Sequence, residues 1–129
     1  MRHTIRAEPI VRPATQADLE SFYVGKPARP TVTAVVGELN GKLIAIGGIA
    51  HVAGDLVGFF DIKPEARKYP LKIVKTARKI LDDMRSGGAT VIHCTRDPDE
   101  PRAGRFLEYL GFRPVGGMAG KYIWLASRR

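Results

Sequence analysis

Paired cysteines, clustered metal ligands and long apolar runs are all missing from this chain of 129 residues. The single cysteine, Cys94, excludes a disulfide within the chain. The three histidines stand far apart and show no paired ligand spacing, so we expect no metal site. No stretch is apolar over the length of a signal peptide or a membrane-spanning helix, which predicts a cytoplasmic protein without membrane attachment.

Acidic residues are outnumbered by basic ones. The chain has 13 Asp and Glu against 21 Lys and Arg, a net charge of +8 and a pI of about 10.0. This excess favours anionic partners such as nucleic acid, phosphate-bearing cofactors or acidic proteins. The cations are scattered, and aromatic residues are not interleaved with the lysines, so a dedicated nucleic-acid surface is not expected.

The elements that are present predict one domain over residues 1–129, with 44 % hydrophobic residues to fill its core. Asn40-Gly41 is a strong hairpin signal, because both central residues of a type I′ turn need positive φ. Thr15 and Asp18 approximate a capping box that starts a helix. We predict strands over residues 3–12, 31–39, 42–52, 55–62 and 90–95, helices over 15–24, 70–85 and 101–110, a loop over 25–30, and two short strands around 112–117 and 121–126. This order predicts a mixed α/β fold with a sheet of six or seven strands and about three helices.

The long helix after residue 70 is amphipathic. Its apolar positions fall on one side, and four lysines fall on the other: Lys68, Lys72, Lys75 and Lys79. Lys75 and Lys79 fit an ordinary solvated face. Lys68 and Lys72 stand near the start of the helix, where the macrodipole disfavours cations, and Tyr69 offers no side-chain cap before Pro70. Two hypotheses therefore stand side by side, a phosphate site at this helix start and a simple amphipathic helix.

The element order and two stretches, "IKPEAR" and "RAGRFLEYLGF", resemble the GCN5-related N-acetyltransferases, the GNAT family. The second stretch is similar to the family pattern A-x-x-F-Y-E-x-L-G-F, with matches at Ala103, Phe106, Glu108, Leu110, Gly111 and Phe112. The resemblance implies a GNAT-like, mostly antiparallel sheet and an acetyl-CoA-dependent N-acetyltransferase. The acceptor would be an amine of a small molecule or a protein, and homodimerisation stays open. In its short length, the chain also resembles GNAT-like proteins that are encoded by tailed phages.

The resemblance also implies site residues. Acetyl-CoA would be bound at Phe60, Ile62, Arg67, Lys68, Tyr69, Leu71, Lys72 and Phe106. Asp61, beside the presumed cofactor strand, is a candidate general base, with His51 and His93 also available. Leu107 stands where the family often has the tyrosine that protonates the leaving thiolate. Tyr109 is the nearest candidate acid, although it lies about 200° further round the helix.

Two departures from the family favour an alternative. Pro70 and Lys72 stand where the family's phosphate loop has glycines, which let backbone N–H groups approach phosphate closely. The chain is therefore either an enzyme with a rebuilt loop or a catalytically inactive GNAT-fold binding or assembly protein, of a phage-related or nucleic-acid-associated kind. For His93 and Cys94 we expect a strand interior, and for Tyr122 and Trp124 a half-buried sheet.

Overall fold

The computed structural model describes residues 8–23 and 32–126. The strands are β1 (Ile10–Pro13), β2 (Val32–Leu39), β3 (Lys42–Val52), β4 (Asp55–Ile62), β5 (Val91–Thr95), β6 (Arg113–Pro114) and β7 (Lys121–Leu125), and the helices are α1 (Gln16–Phe22), α2 (Pro70–Ser86) and α3 (Ala103–Tyr109). A 3₁₀ turn, Pro64–Lys68, joins β4 to α2. The predicted loop over 25–30 and the first half of the predicted first strand, residues 3–7, lie outside the described residues.

All seven described strands form one sheet in the order β1-β2-β3-β4-β5-β7-β6. Every neighbouring pair is antiparallel except β4 and β5, which run parallel. The crossover between these two parallel strands contains the long helix α2, as parallel connections require. The predicted mixed, mostly antiparallel sheet with three helices is confirmed.

The hairpin between β2 and β3 turns at the predicted residues. Asn40 has φ 52° and Gly41 φ 79°, the positive values that a type I′ turn needs. The next turn, between β3 and β4, repeats this geometry with Ala53 at φ 50° and Gly54 at φ 86°. These two tight turns set the register of the three central antiparallel strands.

The main core lies between the sheet and helices α2 and α3. Its buried side chains are Ile49, Leu81, Ile92, Leu107, Phe112, Tyr122 and Trp124. The apolar side of α2 contributes Leu81, with Ile80 and Met84 packed against the cluster, while the four lysines opposite are exposed. The helical periodicity therefore predicted the buried face correctly. Tyr122 and Trp124 are buried more completely than the half-buried sheet positions that were expected.

Two sequence-based expectations need correction. His93 is exposed, whereas a buried imidazole was expected, because its strand alternation directs it away from the core side that Ile92 occupies. The strand expected around residues 112–117 is only two residues long, since the glycines that follow Val115 form a turn. Within the described ranges, no helix combines the length and the apolar character needed to cross a membrane.

Candidate active site

The centre of the sheet contains a notch between the two parallel strands. β4 and β5 pair only at Val57 with His93 and at Gly58 with Cys94. Beyond Gly58, the remaining residues of β4 pair with β3 on one side and have no described strand on the other. The backbone N–H and C=O groups on that free edge are strong hydrogen-bonding groups that need a partner. The notch therefore offers main-chain bonds to an extended ligand.

One side of the notch is apolar. Alternation along β4 directs Phe60 towards α2 and α3, where its ring stacks on Phe106 with centroids 5.5 Å apart and planes at 25°. Gly47 makes room for this ring, because a Cβ there would lie 2.6 Å from Cδ1 of Phe60. A groove follows these rings and is lined almost wholly by apolar side chains, with Cys94 on its wall. Burial raises the pKa of the Cys94 thiol to about 11.

The N-terminus of α2 borders the neighbouring groove, which Tyr69 and Lys72 line together with Phe60. Tyr69 occupies the N-cap position without a side-chain cap, and Pro70, which has no N–H, begins the helix. The N–H of Ile73 donates to Tyr69 O at 3.1 Å, which leaves the N–H groups of Leu71 and Lys72 without a hydrogen bond inside residues 8–23 and 32–126. Free N–H groups at a helix start attract anions.

The cations near this helix start are in two different states. Arg67 forms an ion pair with Glu100, with Nη2 2.6 Å from Oε2. Lys68 and Lys72 are exposed, and no carboxylate in the described part of the chain pairs with either of them. The start of α2 thus has two lysines and two N–H groups without a partner among the described residues, whereas the Arg67 guanidinium is paired with Glu100. Among the other expected cofactor residues, Leu71 is 79 % exposed and Ile62 is half-buried at the end of β4.

Asp61 lies on the opposite side of the sheet from Phe60. Its Oδ2 accepts a hydrogen bond from the hydroxyl of Tyr23, at the C-terminal end of α1. Tyr23 also contacts Phe59, another β4 residue on this face, edge to face at 6.5 Å between centroids. Asp61 follows Gly58 by three residues on β4, beyond the point where the pairing with β5 ends, so it lies beside the notch. Tyr23 was not predicted as a site residue, because a lone aromatic residue at a helix end carries no spacing signal.

No protein-family model matches the sequence, and no curated protein matches it. Solved structures do match. The ribosomal-protein-S18-alanine N-acetyltransferase from Escherichia coli superposes with a TM-score of 0.64 at 15 % identity, over 95 % of this chain and 96 % of that one. A spermidine N-acetyltransferase SpeG chimera from Vibrio cholerae and hSSAT gives 0.63 at 14 %, over 91 % and 95 %. A putative GnaT-family acetyltransferase from Bordetella pertussis gives 0.54 at 14 %, over 71 % and 64 %.

The protein has the GNAT fold. Its notch lies between the two parallel strands, and the start of α2 follows the first of them. Where the resemblance placed the glycine loop, from Arg67 to Lys72, this chain has the end of the 3₁₀ turn and the first residues of α2. Ala66 N–H donates to Lys63 O, and Tyr69 N–H donates to Ala66 O. Fewer N–H groups therefore remain for a ligand than an open glycine loop would provide.

Tyr109, the candidate acid, does not line the apolar groove. Tyr109 is 61 % exposed, and the Arg78 guanidinium stacks on its ring at 4.7 Å from the centroid. Leu107, two residues earlier, is buried in the core. Tyr109 lines neither groove, and His51 and His93 are both exposed. Of the two catalytic candidates taken from the sequence, the structure brings only Asp61 close to the notch.

Proposed function

We propose that the protein is an acetyl-CoA-dependent N-acetyltransferase. The observation that carries the proposal is that the free edge of β4 leads to the start of α2. There, two N–H groups and two lysines are available to bind an anion. The GNAT fold supports the assignment, because the three structural relatives described above are named as acetyltransferases. In this proposal the notch takes the pantetheine arm, and the helix start takes the pyrophosphate.

The lysines have a specific role in this proposal. Pro70 removes one N–H, and the 3₁₀ turn uses another, so backbone donors alone bind phosphate less strongly here than in an open glycine loop. Lys68 and Lys72 compensate as point charges on flexible stems, which need no close backbone approach. The Phe60–Phe106 pair then forms the apolar wall of the pantetheine channel.

Acetyl-CoA supplies an acetyl group that is activated as a thioester. Asp61 is our candidate for the general base, because it is the carboxylate on the part of β4 that pairs with β3 but has no described strand on its other side. A positioned carboxylate that accepts a proton from the attacking amine accelerates such a transfer by about 10²–10⁴-fold. Proton donation to the leaving thiolate falls to solvent, since no described phenol lines either groove except Tyr69 at the helix start.

The acceptor in this proposal is an amine. The relatives named above act on a protein alanine and on spermidine, so both a peptide N-terminus and a small polyamine are reasonable first acceptors. We propose the amine class alone. A panel containing spermidine and a short peptide with N-terminal alanine, assayed by release of free thiol from acetyl-CoA, tests the transfer directly.

The decisive experiment for the donor site is calorimetric titration of the protein with acetyl-CoA and with CoA. The Lys68→Ala, Lys72→Ala double variant should bind about tenfold more weakly, because each charge-assisted contact contributes about 1.5–3 kcal/mol when well formed and less at an exposed site. The matched control is Lys75→Ala, Lys79→Ala, which removes the same charge from the solvated side of the same helix. Its affinity should stay within about twofold of the wild type.

Each outcome of this titration has a clear meaning. Absence of binding at millimolar acetyl-CoA would refute the enzyme assignment and leave a GNAT-fold binding protein. Equal losses in both double variants would show that only the overall charge matters, which would refute the helix-start site. Binding with a loss confined to the Lys68 and Lys72 variant would support the proposed pyrophosphate contacts.

A further inference from the structure

The carboxylate of Asp61 is held by one of its two oxygens. The Tyr23 hydroxyl donates to Oδ2, and no residue in the described ranges donates to Oδ1. The terminal torsion of an aspartate is broad, so the carboxylate rotates readily unless something fixes it. A hydrogen bond to one oxygen fixes the direction in which the other oxygen points. The hydrogen bond from Tyr23 therefore orients Oδ1, the carboxylate oxygen that has no donor in the described ranges.

Tyr23 is itself well anchored. Its backbone N–H donates to Leu19 O at 3.0 Å, at the end of α1. Its ring contacts Phe22 at 5.3 Å and Phe59 at 6.5 Å between centroids. Phe59 and Asp61 are two residues apart on β4 and so share one face of the sheet. The ring therefore packs on one β4 side chain while its hydroxyl holds the next one on the same face.

The position of Asp61 gives this orientation a chemical use. The strand pairing between β4 and β5 ends at Gly58, three residues before Asp61. Phe60, the neighbour of Asp61, points to the groove on the other face. A ligand that passes through the notch would thus meet the apolar wall on one face and the Asp61 carboxylate on the other. The amine acceptor would approach from the α1 face.

From these contacts we infer that Tyr23 is a positioning residue for acyl transfer, which holds Asp61 so that Oδ1 accepts the acceptor's proton. This inference rests on the proposed function. In the step itself, the acceptor nitrogen bonds to the thioester carbonyl carbon and gives one proton to Asp61 Oδ1. The C–S bond then breaks, its electron pair leaves with sulfur, and the thiolate takes a proton from solvent. Water can replace the amine in the same step, which gives acetate and CoA.

The test is a double-mutant cycle with Tyr23→Phe and Asp61→Asn. Thiol release from saturating acetyl-CoA is measured with the most active amine of the panel and with water alone, which requires no acceptor recognition. Asp61→Asn should lower kcat about 100-fold or more, as loss of a general base does. Tyr23→Phe should lower kcat about tenfold and leave the KM for acetyl-CoA unchanged, because it removes one hydrogen bond to a charged group. The double variant should match Asp61→Asn alone.

A matched control separates positioning from general damage to α1. Thr15→Ala removes the N-terminal cap of the same helix and leaves the Tyr23 hydroxyl in place. Its kcat should stay within about twofold of the wild type at temperatures where all variants are folded. A merely structural Tyr23 would lower activity by the same factor in the presence and absence of the Asp61 carboxylate, and Thr15→Ala would imitate it.

The outcomes also separate this inference from the proposed function. If the losses of Tyr23→Phe and Asp61→Asn multiply in the double variant, the inference is wrong although the enzyme assignment stands. If acetyl-CoA binds by calorimetry but thiol release is not faster than the uncatalysed rate with amine or water, both the inference and the enzyme assignment are wrong, and only the donor site stands. If acetyl-CoA does not bind at all, the proposed function fails first. Loss of kcat in Tyr23→Phe only while Asp61 is present supports the inference.

Discussion

Helices α1 and α2 begin in opposite ways. At the start of α1, Thr15 Oγ1 accepts from Asp18 N–H at 3.1 Å, and Asp18 Oδ2 accepts from Thr15 N–H at 2.8 Å, which is a complete capping box. Arg12 on β1 adds a two-pronged ion pair to Asp18 at 2.6 and 3.1 Å. At the start of α2, Tyr69 provides no side-chain cap, and the first turn contains no acidic residue.

The difference follows from how each helix gains its stability. α1 has only seven residues, too few to be stable without tertiary support and a cap. α2 has 17 residues and buries Leu81 in the main core, so packing stabilises it even with its first N–H groups free. An uncapped start costs a long packed helix little, and it leaves donors available for a ligand. The comparison predicts that substitutions at α1 change stability, whereas those at α2 change acetyl-CoA binding.

Asp18→Ala should have the largest effect on stability. It removes the carboxylate that accepts from the Thr15 N–H in the capping box. Among the described residues, Glu38, at 3.0 Å, then remains as the acidic partner of Arg12. Hydrogen bonds to a charged group contribute about 1.5–3 kcal/mol each, so we expect the free energy of unfolding to fall by about 2 kcal/mol. Urea denaturation at pH 7 measures it. Glu20→Ala on the exposed side of α1 is the control, and an equal loss in both variants would contradict the role of the cap.

Tyr69→Asp should stabilise the start of α2 and weaken the binding of acetyl-CoA. An aspartate at the N-cap would accept from the N–H of Leu71 or Lys72, the same donors that we assign to pyrophosphate. Because Tyr69 is half-buried, the proper reference is Tyr69→Ala, which loses the same ring. Relative to that reference, Tyr69→Asp should be more stable by about 1 kcal/mol and should bind acetyl-CoA about tenfold more weakly. A gain in stability without loss of affinity would place the phosphates elsewhere.

Much of the fold was predictable because its signals are local. The turn at Asn40-Gly41, the capping box at Thr15 and the apolar side of α2 each depend on residues within one or two turns of each other. The sheet order could be inferred only through the family resemblance, since strand pairing across the β4–β5 crossover leaves no short-range signal. The exposure of His93 follows from strand alternation, once Ile92 is recognised as the core residue.

The site was predictable only in part. The uncapped start of α2 was visible from Tyr69 and Pro70 alone, and the structure has the same arrangement. The contact between Tyr23 and Asp61 joins residues 38 positions apart, so no spacing rule reaches it. The pairing of Arg67 with Glu100, 33 positions apart, was hidden for the same reason. The sequence showed which groups were available, and the tertiary contacts decided which of them are free.

The same substitution in the two helices should give different results. Thr15→Ala removes the N-cap of α1 and should lower the free energy of unfolding by about 1 kcal/mol. Thr76 lies inside α2, where its Oγ1 donates to Lys72 O at 2.8 Å, a bond that competes with the helix rather than completing it. Thr76→Ala should therefore change stability by less than about 0.5 kcal/mol, since alanine is the better helix former. Thermal unfolding of both variants checks this, and equal losses would undermine the comparison.

The smallest effect should appear in the acid range and only at α1. The Arg12 guanidinium, followed by the Thr15 N–H, holds the pKa of Asp18 below its ordinary value of 3.8. A lowered pKa means that the folded state favours the carboxylate, so this stabilisation is complete above the ordinary pKa and is lost as the pH falls below it. The difference in unfolding free energy between the wild type and Asp18→Asn should thus be constant from pH 7 to about pH 5 and should shrink below about pH 4. In an Arg12→Gln background the shrinkage should be much smaller, because the guanidinium is the main cause of the shift. An undiminished pH dependence in that background would mean that the helix start alone holds the Asp18 charge, and the ion pair to β1 would then be incidental.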